Sequence, residues 1–416
     1  MVPPLPAVTL SSMVGKVSRA PTPDAVRERV RSLPRRFRGE SANDLVAEWE
    51  LRVGGQEFAI AVRNHRCTVS DGPGASPATV ITTDPATWVA IDDGALTGGD
   101  AFFARNLDVR GNLDLAVRLQ TLFRPYRRAR RPTDLDQMEV EVGGVRLSCY
   151  VMGRGTPILL LHGLGGSKGT LLPILSALAD RYRLVVPDLP GHGESEKQVS
   201  DHSPRFYAHV MRCLLDEMAV ERAVVLGNSL GGRVALEMAL RSPKRVASLV
   251  LLDPSLPGLR WRYVASFTKL LPTEIGAVPF PMRERLTEMA IRRLFASPTR
   301  LSSEAYSLAA AEFIRVYRDP RARMAFFSAL RHIVTERPEP FLASLRRIKQ
   351  PALVIFGQND RIVPPRLGVR LAQHLPNARF VALPGVGHVP QFEAPTETLQ
   401  EVEAFLSTSP LGSPEL

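Results

Sequence analysis

The chain has 416 residues, of which 44% are hydrophobic, so it is long enough for a sizeable core and for two or three domains. Its 53 lysines and arginines exceed its 42 acidic residues, which gives a net charge of +11. Residues 256–350 hold 17 basic and 8 acidic residues and so carry +9 of this excess. That region has no nucleic-acid-binding motif, so nucleic acid is not a predicted partner. A solvated arginine-rich surface is the preferred interpretation, and attraction to an anionic membrane or an acidic substrate is the alternative.

The cysteines and the N-terminus predict a location for the protein. Cys67, Cys149 and Cys213 are far apart, with neither a disulfide framework nor a metal-ligand spacing. Residues 1–24 are predicted to be a tail, and their positive charges follow the apolar residues, which is a poor secretory signal. The sequence contains no uninterrupted apolar stretch of bilayer-spanning length. We therefore expect a cytoplasmic protein.

Residues 25–125 have the pattern of a small α+β domain. A charged helix is predicted in "PDAVRERVRSLPRRF". The alternating segments "DLVAEWELRVGG", "QEFAIAVRN", "HRCTVSDG" and "ATVITTD" then predict an antiparallel meander with one buried face. Two further helices are predicted, because "DPATWVAIDDG" begins with an Asp-Pro entry and "NLDLAVRLQTLF" repeats apolar residues at helical spacing.

The stretch "GALTGGDAFFARNLDVRGNLDLAVRLQTLF" (94–123) resembles the sterol-carrier-protein type of lipid-binding domain. This resemblance implies an apolar tunnel between sheet and helices for a fatty-acyl or sterol-like ligand. From the residues alone we expect an apolar helix face, which in most domains is plain core. The side chains predicted for this face are Trp88, Phe102, Phe103, Leu113, Leu115, Leu119 and Phe123. Since this block has no catalytic constellation, binding is its predicted role.

A basic stretch with two prolines, "FRPYRRARRPTD" (123–134), follows, and residues 126–137 are predicted to be a solvated linker. The second block, residues 138–408, has a different pattern. The hairpin "VEVGGVRLSCYVMG" precedes short apolar runs such as "PILLLHG", "AVVLGNS" and "ALVIFGQND", several of them separated by helical patterns. Runs of this kind are typical of strands buried on both faces, so we predict a mainly parallel sheet covered by helices.

Within this block, "VVLGNSLGGRVALEMAL" places Ser229 between a buried strand and an amphipathic helix. A tight turn of this kind, a nucleophile elbow, exposes a serine hydroxyl in a strained conformation. The flanking Gly227 and Gly231 remove side chains that would collide with neighbouring elements. The sequence therefore predicts that Ser229 is a nucleophile.

A serine hydroxyl needs a base that takes its proton and an acid that orients the base. His388 follows the last strand and is the predicted base, whereas the other histidines are assigned surface or packing roles. Asp360, at the end of "ALVIFGQND", is the predicted orienting acid. Asp253 in "LLDPS" is the reserve candidate, although a helix-capping or turn role is preferred for it.

The loop "LLLHGLGGS" (159–167) follows another buried strand and contains Gly163. We expect the backbone N–H of Leu164 and that of Leu230, just after the nucleophile, to form an oxyanion hole. A phosphate site is excluded because neither a Walker ending nor a dinucleotide-binding spacing is present. In "VVPDLPGHGES", Asp188 and His192 are interpreted as structural.

Residues 139–407 resemble the α/β-hydrolases, on the motifs "HGLGGS", "DLPGHGES", "GNSLGG", "GQNDRIVP" and "GVGHVPQFEAP". The resemblance implies the same roles for Ser229, His388, Asp360, Leu164 and Leu230. It also implies that residues 256–348 form a helical cap over the nucleophile. Candidate linings of an acyl channel in this cap, which serve equally well as packing residues, are Trp261, Tyr263, Phe267, Phe280, Met282 and Met289.

The predicted fold is thus an α/β-hydrolase with a mainly parallel sheet and a helical cap, preceded by a smaller α+β lipid-binding domain. The predicted activity is hydrolysis of carboxylic esters, including long-chain lipid esters, through an acyl-enzyme without metal or cofactor. The predicted partners are an ester or lipid substrate and an apolar lipid in the N-terminal domain. Two alternatives stay open, a carbon-carbon bond hydrolase of the same fold and a non-catalytic lipid carrier.

Overall fold

The computed structural model describes residues 21–39, 42, 45–124, 126, 135–198, 200–257, 283–297 and 303–409, which build two sheets. The N-terminal domain has a five-stranded sheet. Its strands are β1 (Ala47–Val53), β2 (Gln56–Arg63), β3 (Arg66–Asp71), β4 (Thr79–Thr83) and β5 (Leu107–Gly111). Its helices are α1 (Pro23–Arg36), α2 (Pro85–Asp92), α3 (Gly98–Phe103) and α4 (Leu113–Thr121).

The order of this sheet is β3-β2-β1-β4-β5, and β4 pairs with β1 in parallel. The prediction of an antiparallel meander is therefore wrong for β4, although β1, β2 and β3 do pair in antiparallel fashion. The loop before β4 explains the difference. Two carboxylates on β1 hold this loop, because Glu50 accepts the N–H of Gly74 and Glu48 accepts the N–H of Ser76. The chain therefore crosses beside β1 before it forms the next strand.

The predicted helices of this domain are confirmed and pack against one face of the sheet. Asp84 caps α2 and Pro85 occupies its first turn, as the Asp-Pro entry predicts. The buried core contains aromatic and branched side chains, chiefly Val30, Leu33, Trp49, Leu51, Ile60, Trp88, Leu119 and Phe123. The N-terminal domain is thus α+β. The side chains of Phe103 and Leu113 lie outside the described residues.

The second domain has an eight-stranded sheet of order β13-β12-β11-β10-β8-β9-β7-β6. Its strands are β6 (Asp136–Val142), β7 (Val145–Met152), β8 (Thr156–Leu161), β9 (Tyr182–Pro187), β10 (Ala223–Asn228), β11 (Val246–Leu252), β12 (Ala352–Gly357) and β13 (Ala378–Leu383). Strands β8 to β13 are parallel, and β6 and β7 form the predicted antiparallel hairpin. Central strands such as β10 and β11 are buried at every position, as their continuous apolar runs predict.

Helices cover both faces of this sheet and build one apolar core on each. Outside the β11–β12 connection they are α5 (Leu172–Ala179), α6 (Pro204–Glu217), α7 (Leu230–Arg241), α12 (Pro365–His374), α13 (Pro390–Glu393) and α14 (Pro395–Thr408). The described helices of the β11–β12 connection are α8 (Glu284–Arg292), α9 (Ser303–Tyr317), α10 (Pro320–Thr335) and α11 (Pro338–Leu345). None of the described helices has an apolar stretch long enough to cross a bilayer.

The β11–β12 connection corresponds to the predicted cap. Trp261, Tyr263, Phe267, Phe280 and Met282 lie outside the described residues, and Met289 on α8 is exposed. The described part nevertheless touches the loops at the sheet edge, since the carbonyl of Leu294 accepts the N–H of His388 at 2.7 Å. Of the predicted linker, residues 127–134 are not described. Tyr126 bonds to Glu28 of the N-terminal domain, and Asp136 already belongs to β6.

Candidate active site

Ser229 lies between the end of β10 and the start of α7, with φ 52° and ψ −113°. A non-glycine residue in this region is strained and persists only where its surroundings hold it. The two flanking glycines show how tightly the turn is packed. A Cβ at Gly227 would lie 2.3 Å from the carbonyl carbon of Gly231, and one at Gly231 would lie 2.2 Å from the carbonyl oxygen of Leu161. The strand–turn–helix geometry therefore has the form of a nucleophile elbow.

The turn after β11 holds this elbow from the other side. The N–H of Ser229 donates to Leu252 at 2.9 Å, and the N–H of Ser255 donates to the carbonyl of Ser229 at 2.9 Å. The two hydroxyls of Ser229 and Ser255 are 3.1 Å apart and share a hydrogen bond. Among the described residues, this is the hydrogen bond that Ser229 Oγ makes, and none joins it to His388. Sequence reasoning missed Ser255, because nothing near it in the chain points to Ser229.

His388 and Asp360 lie together, as predicted. His388 Nδ1 is 2.8 Å from Asp360 Oδ2, and both side chains are buried. The other oxygen of Asp360 accepts the N–H groups of Ile362 and Val363 at 2.7 and 3.0 Å. Burial raises the pKa of Asp360, but the imidazole and the hydrogen bonds outweigh burial, so the pKa of this carboxyl lies below its usual value. Asp360 is therefore ionised, and it holds the His388 ring through Nδ1.

The loop that carries His388 is fastened to the elbow. Asn228, the residue before the nucleophile, donates through Nδ2 to the carbonyl of His388 at 3.1 Å and to that of Leu252 at 3.1 Å. Glu393 accepts the N–H of Gly387 at 2.6 Å. Loops that are 160 residues apart in the chain are thus held at the same edge of the sheet.

The predicted oxyanion loop lies on the other side of Ser229. A Cβ at Gly163 would be 3.2 Å from the Cβ of Ser229, so only glycine leaves comfortable room here. His162 supports the loop, because its Nδ1 bonds to the carbonyl of Gly163 and its Nε2 accepts the N–H of Leu189. Burial lowers the pKa of His162, which is consistent with a neutral ring that accepts a hydrogen bond. Leu164 follows Gly163, and Leu230 is the first residue of α7, whose N-terminal N–H groups are free of intrahelical partners.

A buried charge cluster, which sequence reasoning missed, lies just beyond this loop. Lys168 is fully buried, and its Nζ contacts Asp188 Oδ2 at 2.7 Å and Glu194 Oε2 at 3.1 Å. Burial lowers the pKa of this ammonium, but the carboxylates outweigh burial and raise it well above its ordinary value. Asp188 is thus structural, as predicted. So is His192, whose pKa burial lowers to about 3.

Asp253, the reserve candidate, caps none of the described helices and lies in the bend that follows β11, so of the two preferred roles the structure supports the turn and not the helix cap. It is buried, and its Oδ1 accepts the N–H of Gly357 on the next strand at 3.0 Å. One ligand atom each from Asp253, Asp360 and His388 lie within 4.8 Å of one another, a spacing that could hold a metal ion. In this arrangement, however, His388 Nδ1 and Asp360 Oδ2 bind each other. A metal would have to displace these hydrogen bonds, so the donor set fits a hydrogen-bonded cluster better than a metal centre.

Comparison with known families agrees with this geometry. A family model described as alpha/beta hydrolase fold matches residues 156–395, more than half of the chain. The chain belongs to the alpha/beta hydrolase fold family. A second family model, described as the SCP-2 sterol transfer family, matches residues 36–124. We therefore call the two parts the SCP-2 domain and the hydrolase domain.

Relatives of the hydrolase domain have several activities. Lipase 1 of Psychrobacter immobilis is 30% identical over 258 residues, which is 61% of this chain and 77% of that protein. A 2-hydroxy-6-oxononadienedioate/2-hydroxy-6-oxononatrienedioate hydrolase of Paraburkholderia phymatum is 32% identical over 262 residues, 60% of this chain and 88% of that protein. The structure of a thermophilic esterase from Thermogutta terrifontis matches with a TM-score of 0.53 and 26% identity, covering 65% of this chain and 98% of that one.

The SCP-2 domain contains a cavity of about 370 Å³. Its wall combines apolar side chains with arginines and aspartates, and includes Leu33, Arg36, Ile81, Trp88, Asp92, Leu107, Leu119 and Phe123. Trp88, Leu119 and Phe123, which are predicted to lie on an apolar helix face, thus belong both to the core and to the cavity wall. Leu135 and Asp136, at the start of the hydrolase domain, also line the cavity, and Arg38 bonds to Asp136 at 3.1 Å.

Helix α4 joins this cavity to the hydrolase domain. Its residues Ala116 and Leu119 line the cavity, whereas Val117 packs against the hydrolase core. Arg118 Nη1 lies 3.6 Å from Glu194, a member of the buried cluster beyond the oxyanion loop. The SCP-2 domain is therefore docked on the hydrolase domain beside this loop.

Proposed function

We propose that the protein is a serine hydrolase that cleaves carboxylic esters. The observation that carries the proposal is the strained conformation of Ser229 at the start of α7, with φ 52°. A strained turn of this kind persists only where its surroundings hold it, and such turns cluster at active sites. The buried His388–Asp360 pair, 2.8 Å apart and fastened to the same elbow through Asn228, supplies the base and its orienting carboxylate.

The reaction would proceed through an acyl-enzyme. The Ser229 hydroxyl rotates from Ser255 toward His388, loses its proton to Nε2 and attacks the acyl carbon. The oxyanion that forms accepts hydrogen bonds from the N–H groups of Leu164 and Leu230, each contributing roughly 3 kcal/mol. His388 returns the proton to the departing alcohol. Water, deprotonated by the same imidazole, then releases the acid and restores Ser229.

A fluorophosphonate probe tests the nucleophile, because it forms a covalent bond with an activated serine. We expect labelling of the wild type and none of Ser229→Ala. Ser255→Ala is the matched control, since it removes the hydroxyl that lies 3.1 Å from Ser229 and should keep the label. Labelling that persists in Ser229→Ala, or that disappears only in Ser255→Ala, would contradict the proposal.

A second candidate is cleavage of a carbon-carbon bond in a vinylogous diketone. It is favoured by the 32% identity to the Paraburkholderia phymatum hydrolase. Parallel kcat/KM measurements on aryl esters and on such diketones separate the two activities. Turnover of neither, together with failure to label Ser229, would favour the third interpretation, a lipid carrier whose hydrolase domain is a binding scaffold.

We further propose that the SCP-2 domain binds a single-chain lipid and delivers long-chain esters to the hydrolase domain. The cavity of about 370 Å³ lies near the lower end of the range for small-molecule sites, about 300–1,000 Å³, which suits one acyl chain. Its wall is completed by Leu135 and Asp136, so an occupant touches both domains.

Filling the cavity tests this proposal without removing a docked domain. Ala116→Phe places a ring into the cavity, and we expect a lower rate on long-chain esters with an unchanged rate on short-chain esters. Ala86→Phe, an exposed position on α2, is the control of equal size change. Equal rate losses on both ester lengths in Ala116→Phe would contradict delivery by this domain.

Contact with an anionic membrane is proposed for α8. Leu286 and Met289 on this helix are 61% and 62% exposed and lie among exposed arginines such as Arg285. Co-sedimentation with phosphatidylserine vesicles should fall in Leu286→Ser/Met289→Ser, and unchanged binding would refute this contact.

A reducing cytoplasm is the proposed location, since Cys67, Cys149 and Cys213 are unpaired.

A further inference from the structure

Asp253 follows β11 and occupies a place that the ester-cleaving steps leave unused. It is fully buried, with φ 43°, a strained conformation for a residue other than glycine. Its Oδ1 accepts the N–H of Gly357 at 3.0 Å. Its Oδ2 is buried and receives no hydrogen bond from any described residue. Buried carboxylate oxygens in proteins rarely lack a hydrogen-bond partner, so the state of this oxygen needs a physical reason.

The surroundings of Asp253 decide its protonation. The charged and titratable groups that face it are Asp360, His388 and Glu393, and one ligand atom of Asp360 and one of His388 lie within 4.8 Å of one of its oxygens. Two buried carboxylates so close together disfavour simultaneous ionisation, because the repulsion between their charges adds to the cost of desolvation.

The hydrogen bonds show which of the two carboxyls keeps the charge. Among the described residues, Asp360 accepts from the N–H groups of Ile362 and Val363 and from His388, whereas Asp253 accepts from Gly357 alone. Burial, followed by the charge of Asp360, raises the pKa of Asp253 well above its ordinary value. Asp253 is therefore the neutral member of the pair.

A neutral carboxylic acid has a proton to donate, and the ionised Asp360, with a ligand atom within 4.8 Å of an Asp253 oxygen, is the acceptor that faces it. We propose that Asp253 is a positioning residue, a protonated acid that donates its Oδ2–H to the ionised Asp360 and thereby fixes the carboxylate that orients His388. This inference rests on the proposed hydrolase function and assigns Asp253 a role other than the second orienting carboxylate.

The turn at Asp253 also links this pair to the nucleophile. Two residues later, Ser255 contacts both the carbonyl and the hydroxyl of Ser229. The strained φ of Asp253 sends its own side chain toward Asp360 while Ser255 faces the elbow. The segment from Asp253 to Ser255 thus lies against both Asp360 and Ser229 of the proposed triad.

Matched asparagine variants test the protonation state. In Asp253→Asn the amide oxygen can still accept from Gly357 and the NH₂ can still donate to Asp360, so kcat/KM on an aryl ester should stay within about three-fold of the wild type. The acid limb of its pH profile should not move. Asp360→Asn should lose about 10⁴-fold, because it changes the group that selects the His388 tautomer. A loss in Asp253→Asn close to that of Asp360→Asn, or a shifted acid limb, would overturn the proposal.

Asp253→Leu removes the donor while keeping the branched skeleton of the side chain. We expect it to fold, by circular dichroism, and to lose roughly ten-fold or more in kcat/KM, since Asp360 loses a charge-assisted hydrogen bond. Full activity in this variant would overturn the positioning role. Infrared difference spectra at neutral pH need no substrate and decide the matter even if Asp253→Leu does not fold. The C=O stretch of a protonated acid should be present in the wild type and absent in Asp253→Asn. Absence of this band from the wild type would overturn the proposal, whether or not the protein hydrolyses esters.

Discussion

Replacement of Lys168 by methionine is the most demanding test of how the oxyanion loop is supported. The ammonium is fully buried, lies 2.7 Å from Asp188 and 3.1 Å from Glu194, and sits 4.8 Å from the centre of the Tyr150 ring. Methionine keeps most of the volume but removes the charge. Asp188, also fully buried, is then left with the N–H groups of Lys168 and Glu194 as its hydrogen-bond donors.

Breaking a buried ion pair by removing one partner costs about 3–5 kcal/mol, because the remaining charge is uncompensated. We expect a loss of this size in the free energy of unfolding at pH 7. Burial raises the pKa of Asp188, but Lys168 and His162 outweigh burial and hold it below its usual value. Since a depressed folded pKa stabilises above the unfolded pKa of about 3.9, the difference between wild type and Lys168→Met should be full at neutral pH. This difference should narrow as the pH falls from about 3.9 through the lower pKa of Asp188 in the folded protein, where the carboxyl becomes protonated.

Urea unfolding measures this loss of free energy. The transition to use is the one in which ester turnover also disappears, because that transition reports the unfolding of the hydrolase domain. Arg146→Met is the matched control. Arg146 lies 2.9 Å from Glu139 in the same domain, but the two side chains are 43% and 37% exposed, and the expected loss is below about 1 kcal/mol. Equal losses in the two variants, at any pH, would refute the argument that burial of Lys168 makes its ion pair important.

Three further predictions concern the elbow, the buried imidazole and the domain contact. Gly231→Ala should lose about 1–3 kcal/mol or more and most fluorophosphonate labelling, because its Cβ would lie 2.2 Å from Leu161 O. Gly99→Ala, where the nearest atom is 3.8 Å away, is the control, and equal stability of the two variants would contradict the tight packing. His192→Gln should leave the acid limb of the pH profile unchanged, since burial lowers the pKa of His192 to about 3, and a displaced limb would show that it titrates with substrate turnover. Arg118→Met should speed hydrogen exchange in α4 but not in α2, because it removes the contact with Glu194, and unaltered exchange in α4 would mean that Arg118 does not hold the domains together.

Much of this protein could be predicted from local sequence, because its signals act over a few residues. The continuous apolar runs of β10 and β12 specify strands buried on both faces, and the glycines around Ser229 specify a turn that other residues cannot make. The end of a parallel strand is also where a side chain reaches the sheet edge. The contact between Asp360 and His388 could therefore be predicted from the sequence.

Tertiary structure decided what depends on contacts between distant segments. The parallel pairing of β4 with β1 follows from a loop held by Glu48 and Glu50, and alternation alone carries no information on partner or direction. Lys168 reads as an ordinary surface residue in the chain and becomes fully buried only when Asp188 and Glu194 surround it.

Asp253 and Asp360 illustrate the boundary most clearly. In the sequence each is an aspartate that follows an apolar strand, and the neighbouring residues do not show which of the two side chains is protonated. In the fold, Asp360 gains two backbone donors and an imidazole, whereas Asp253 gains one donor and complete burial. Residue type and spacing determine which groups reach the sheet edge, but the charge each group carries there depends on the donors and the desolvation that only the assembled structure provides.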